Sequence, residues 1–133
     1  MKAIHVAIPA VLTIAFALSY SYLQDRDWLE VQKRGLIARA GAYEPNTEVN
    51  GDSKYGPAHG PILDEQAAKA IAESVWTGIY GAKNIELEKP FLAAEAKGRW
   101  HVQGTIPREM LGGVAYIILA KEDGRVIKVW HEK

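Results

Sequence analysis

The chain has 133 residues, enough for one domain with a core of modest size and not for two. Lys and Arg number 16 and Asp and Glu 16, so no long-range field draws a polyanion, and nucleic acid is set aside as a partner. Cysteine is absent, which excludes a disulfide framework, a cysteine nucleophile, thiolate metal sites and a lipid-modified N-terminal cysteine.

From Ala3 to Tyr22 there is no Asp, Glu, Lys or Arg. As a helix this stretch spans about 30 Å, the thickness of a bilayer's hydrocarbon core. Lys2 precedes it and Asp25, Asp27 and Glu30 follow, which predicts the amino end in the cytoplasm and the rest of the chain outside. Two readings of residues 1–22 stay open. One is a cleaved secretory signal with small residues at Ala15 and Ala17, or at Ala17 and Ser19; the other is an uncleaved anchor with Tyr20, Tyr22 and Trp28 near the outer interface. Both place the domain in the periplasm, soluble after cleavage or tethered to the inner membrane.

Residues 23–40 predict a short helix with an uneven apolar face (Leu23, Trp28, Leu29, Val31, Leu36, Ile37) interrupted by Gly35. Residues 41–59 are rich in Gly, Pro and Asn and read as a loop or linker. The domain proper occupies 60–133. Ala68, Ile71, Ala72, Val75, Trp76, Ile79 and Tyr80 recur at three- and four-residue steps and make one apolar helical stripe. Asp64 is placed to cap its start and Gly81 to end it.

Strands follow, predicted at 91–97, 99–106, 114–120 and 125–131. Trp100, Val102, Gly104 and Ile106 alternate with His101, Gln103 and Thr105, the pattern of a strand with one buried face and one wet face. The near-continuous apolar run 114–120 predicts a central strand, and Glu122-Asp123-Gly124 a tight turn into the last hairpin. The expected fold is α+β: one amphipathic helix on a three- to four-stranded antiparallel sheet, preceded by an N-terminal hydrophobic helix.

The wording of this block carries a resemblance. The fragments are G-P-I-L-D-E-Q-A-A-x-x-I-A-E-x-V-W at 60–76, I-Y-G at 79–81, K-P-F at 89–91, W-x-V-x-G-T-I-P at 100–107, G-G-V-A-Y-I at 112–117 and D-G-R-V-I-K-V at 123–129. In that order they resemble the nuclear-transport-factor-2-like immunity proteins of bacterial polymorphic toxin systems. The resemblance implies a cystatin-like or nuclear-transport-factor-2-like fold and a small protein that binds a cognate toxin and protects the producing cell. It brings no catalytic signature and does not cover residues 1–59.

His5, His59, His101 and His131 lie far apart with no second ligand at helical or hairpin spacing, so no metal or cofactor site is expected. His101 and His131 fall in strands that could be neighbours, and both are expected to face solvent. Asp64 and Asp123 are explained as a cap and a turn, and Gly112-Gly113 as a close approach of backbone.

The expected function is therefore binding and not catalysis. The outward sheet face (His101, Gln103, Thr105), the loop 107–110 with Arg108 and Glu109, and Trp130 form the candidate toxin-contact set. A small-molecule enzyme is an alternative that needs a pocket floored by Trp100 and Tyr116. A second alternative is an envelope module modulating a peptidase, because a helix followed by an antiparallel meander also resembles PepSY-like domains.

Overall fold

A computed structural model describes residues 7–44 and 60–133, with side chains from Gln24 onward in the first segment. Three helices, α1 (Ala7–Ala42), α2 (Glu65–Tyr80) and α3 (Ala82–Glu86), precede four strands, β1 (Leu92–Ala96), β2 (Arg99–Gln103), β3 (Ala115–Ala120) and β4 (Val126–His131). The strands form one antiparallel meander in the order β1-β2-β3-β4. Residues 23–40 are not a separate short helix; they are the last part of the continuous helix α1. His5 and His59 lie outside the described residues. Among the residues with described side chains, no helix is long and apolar enough to cross a membrane, and the expected signal or anchor at 1–22 lies outside that set.

Helix α2 forms where the apolar stripe predicts. The Asp64 carboxylate accepts from the Ala67 amide at 2.8 Å, satisfying one of the free donors of the first turn. At the other end Gly81 adopts φ 89°, a conformation that costs any other residue strain, and its amide donates to the Thr77 carbonyl. Ala68, Ala72 and Trp76 point from one face of α2 into the main core, against Phe91, Ala93, Trp100, Val102, Ala115, Ile117 and Leu119. Trp76 meets the Phe91 ring edge-on at 5.2 Å. Burying a side chain of this size contributes about 3 kcal/mol. The Trp100 indole donates to the Ile62 carbonyl at 3.1 Å and ties the segment before α2 to the sheet.

The opposite sheet face is not wet. Helix α1 lies across β1 and β2, and α2 across β1, β2 and β3. Leu36 and Ala40 of α1, one turn apart, enter a second core with Ala94, Tyr116 and Ile118. Every residue of β3 is consequently buried. The sheet has a loop end, where β2 and β3 are joined through 104–114, and a turn end, where Lys97-Gly98 and Lys121–Arg125 reverse the chain.

Candidate partner-binding surfaces

The three sheet-face residues expected to meet a partner are covered. His101 is 1% exposed, and Gln103 and Thr105 are buried as well. Their alternation with Trp100 and Val102 is real, but the side that His101 and Gln103 share with Tyr116 and Ile118 belongs to α1 and not to solvent, and the Thr105 hydroxyl donates to the Glu88 and Pro90 carbonyls. His101 Nδ1 and the Tyr116 hydroxyl share a hydrogen bond at 2.9 Å, and the Tyr43 ring meets the imidazole edge-on at 5.4 Å. His101 Nε2 has no hydrogen-bond partner among the described residues. Burial, and after it the nearby Arg99 charge, pushes His101 down to about 4, so the ring is neutral at pH 7. Burial also raises the Tyr116 hydroxyl above its usual range.

Two further expectations are corrected. Trp100 packs on the α2 side of the sheet and Tyr116 on the α1 side, so they cannot floor one pocket. His101 stands on β2 and His131 on β4, with β3 between them.

At the loop end the chemistry is organised by Glu88, a residue the sequence reading passed over. Its Oε2 accepts from the Ala115 amide at 2.7 Å and its Oε1 pairs with His131 Nε2 at 2.7 Å. Its backbone carbonyl accepts from the Thr105 amide at 2.8 Å. A Cβ at position 104 would overlap the Glu88 carboxylate, so glycine there is what lets the acid in. The same holds at Gly113, where a Cβ would collide with the Glu132 backbone, the close approach expected of the Gly112-Gly113 pair. His131 Nδ1 bonds the Glu132 carbonyl at 2.6 Å. Burial alone would lower the His131 pKa, but the bonds to Glu88 and to the Glu132 carbonyl outweigh it and the net shift is upward.

Beside this pair is a cavity of about 510 Å³ lined by Tyr80, Leu87, Thr105, Met110 and Leu111. Arg108 and Glu109 are exposed on the adjoining loop. At the turn end Lys121 pairs with Glu95 at 2.7 Å, and Arg125 with Glu122 at 3.1 Å and Asp123 at 3.0 Å.

The β4 strand differs from the others. It is an edge strand that neither α1 nor α2 lies across to any extent comparable with β1 and β2. Trp130 stacks on Tyr116 with centroids 4.4 Å apart, and Lys128 Nζ sits 4.6 Å from the centre of the Trp130 ring. Trp130 is half-buried, with its inner face supported and its flank open. The β1 edge is partly blocked, because the Lys33 ammonium donates to the Ala93 carbonyl.

Residues 67–133, from the first turn of α2 through α3 and the whole sheet, match the family described as the NTF2 fold immunity protein. The chain belongs to that family. Two proteins of Escherichia coli strain K12, each called uncharacterized, are similar to it: YhhH, 33% identical over 73 residues, and YbbC, 37% identical over 73 residues. Each alignment covers 54% of this chain, and respectively 58% and 60% of the relative, so the chain spans less than two thirds of either protein. No solved structure matches the chain. The immunity-family match begins inside α2, and the helix that closes the second sheet face lies outside it.

Proposed function

We propose that this immunity-family chain binds a cognate bacterial toxin outside the cytoplasm and protects the producing cell by occlusion, without catalysis. The observation that carries the contact surface is the open β4 edge. Both faces of the sheet are occupied by the chain's own helices, whereas among the described residues no strand lies beyond β4, which carries Trp130 supported by its stacking on Tyr116. An edge strand offers backbone donors and acceptors that a partner strand can complete, and an aromatic ring held by stacking is a low-entropy anchor. Lys128 over the ring supplies a cation beside it. With 16 basic and 16 acidic side chains, local contacts and not global charge set the affinity. The export reading of residues 1–22 places this surface in the periplasm, with the domain either released or tethered.

The test is a search for a secreted toxin encoded next to the gene for this chain and capture of that toxin by the purified protein, together with a self-protection assay on the deletion strain. Trp130→Ala should weaken capture by about 2 kcal/mol or more, roughly thirtyfold, and Lys128→Glu should weaken it while leaving the fold intact. Unimpaired siblings of the deletion strain, or capture indifferent to both substitutions, defeats the proposal.

A further inference from the structure

Helix α1 has a direction on the sheet. The Trp28 indole donates to the Ile106 carbonyl at 2.6 Å, and the Gln32 carboxamide accepts from the Ile106 amide at 3.2 Å. Four turns later the Tyr43 carbonyl accepts from the Lys97 ammonium at 3.4 Å. The helix therefore enters at the loop end and finishes at the turn end. The part of α1 that precedes Trp28, from Ala7 on, leaves the domain beside Ile106 and the loop that follows it, and it carries most of the uncharged run of the sequence.

That loop and the end of the segment after α3 gather exposed apolar side chains in one place. Leu111 is 99% exposed, Met110 61% and Leu87 72%, and all three line the one cavity beside Glu88. Single exposed apolar side chains are ordinary, but a cluster of three at one end is a surface meant to be covered. The turn end has the opposite character. Leu63 is exposed there, but Lys97, Lys121 and Arg125 line the same cavity. Arg108 and Glu109 cancel each other on the loop, so nothing there demands an anionic partner.

Tyr22, the last residue of the uncharged run, precedes Trp28 by six residues, about 9 Å of helix. A bilayer's headgroup layer is roughly 6 Å deep on each side of the hydrocarbon. If the run spans the membrane, the loop end of the domain stands at the lipid surface and the turn end faces away from it.

We propose that the loop 107–113, together with Leu87, is a bilayer-contacting surface, with Met110 and Leu111 entering the lipid interface beside the emerging helix. The occupant is a phospholipid bilayer, and the proposal rests on the tethered form of the reading above. It fixes the domain's orientation, with β4 standing free of the membrane for a partner arriving from the periplasm.

The chain has no cysteine, so single-site labelling is clean. Leu111→Cys and, at the turn end, Glu122→Cys are each labelled with an environment-sensitive fluorophore. The full-length chain is reconstituted in phosphatidylethanolamine–phosphatidylglycerol vesicles with brominated acyl chains. The expected result is a blue-shifted Leu111 probe quenched several-fold more strongly than the Glu122 probe, with the same contrast in phosphatidylcholine. Equal quenching at both sites, or an unquenched Leu111 probe on a chain that floats with the vesicles, overturns the proposal. So does a full-length chain that fails to float. If Leu111→Asp abolishes toxin capture and the Leu111 probe is unquenched, the loop is a protein contact instead. Self-protection is scored separately, so immunity can fail while the loop is quenched, and the reverse.

Discussion

His101 makes the stability of this domain acid-sensitive, by an amount that follows from its burial. In the unfolded chain its pKa is near 6.5, and in the folded state it is pushed down to about 4. A base whose folded pKa is depressed favours the fold in its neutral form. The stabilisation is therefore fully present above pH 6.5 and is lost as pH falls from 6.5 toward 4. The difference of about 2.5 units, at ~1.36 kcal/mol each, gives roughly 3 kcal/mol. Solvent screening does not reduce this much, because the ring is sealed between Tyr43 of the first segment and Tyr116 of β3. The perturbation is His101→Gln, whose amide can still meet the Tyr116 hydroxyl but cannot take a proton. Urea unfolding followed by tryptophan fluorescence at pH 7.5, 5.5 and 4 measures both chains. At pH 7.5 the variant should be less stable by about 1 kcal/mol, from imperfect packing and a replaced hydrogen bond. By pH 4 the difference should have reversed, because only the original chain must bury an imidazolium. Parallel stability curves for the two chains across that range would refute the reasoning, since carboxylates titrate equally in both.

The loop-end pair responds with the opposite sign. His131 is raised in the folded state, so its contribution is present below its unfolded pKa and is lost as pH rises through the folded value; NMR titration of the imidazole should show the upward shift, and Glu88→Gln should move the titration to lower pH. Gly104→Ala should displace the Glu88 carboxylate and cost about 2 kcal/mol, through the Ala115 amide left without its acceptor; a thermal melt unchanged from the original chain would contradict this. Trp76→Phe and Trp100→Phe form a matched contrast, because Trp76 Nε1 has no partner among the described residues whereas Trp100 Nε1 holds the Ile62 carbonyl. The second substitution should cost about 1 kcal/mol more than the first, read as the difference between two urea midpoints. Leu36→Ala should cost about 2–5 kcal/mol and expose the α1 side of the sheet to hydrogen exchange without loosening α2.

Which parts of this fold are legible in the sequence follows from which interactions are local. The α2 stripe, its Asp64 cap and the Glu122-Asp123-Gly124 turn depend on neighbours a few residues away, and the structure places each where the pattern puts it. The short helix α3 is not legible, because Ala82–Glu86 offers one buried side chain, Ile85, and five residues carry no period. Glu88 is invisible for a different reason. Its partners are Ala115 and His131, far along the chain, and the signal that it needed room was a glycine at 104 inside an otherwise regular strand pattern.

The sheet face shows the limit of alternation as an argument. His101, Gln103 and Thr105 read as wet because they are polar and alternate with an apolar set, but alternation reports only that two sides differ. What decides between solvent and a second layer is the neighbouring strand. The run 114–120 is apolar at consecutive positions, and a strand that puts Tyr116 and Ile118 on one side and Ile117 and Leu119 on the other must be covered twice. Helix α2 covers one side, and the second cover comes from the part of α1 within residues 23–40. Its apolar face is uneven because the surface it meets is mixed: Leu36 and Ala40 meet Ala94 and Ile118, while Arg39 lies over the Tyr116 ring and Tyr43 against His101. The same covering helix removes the sheet face from the candidate partner surfaces and leaves the β4 edge in its place.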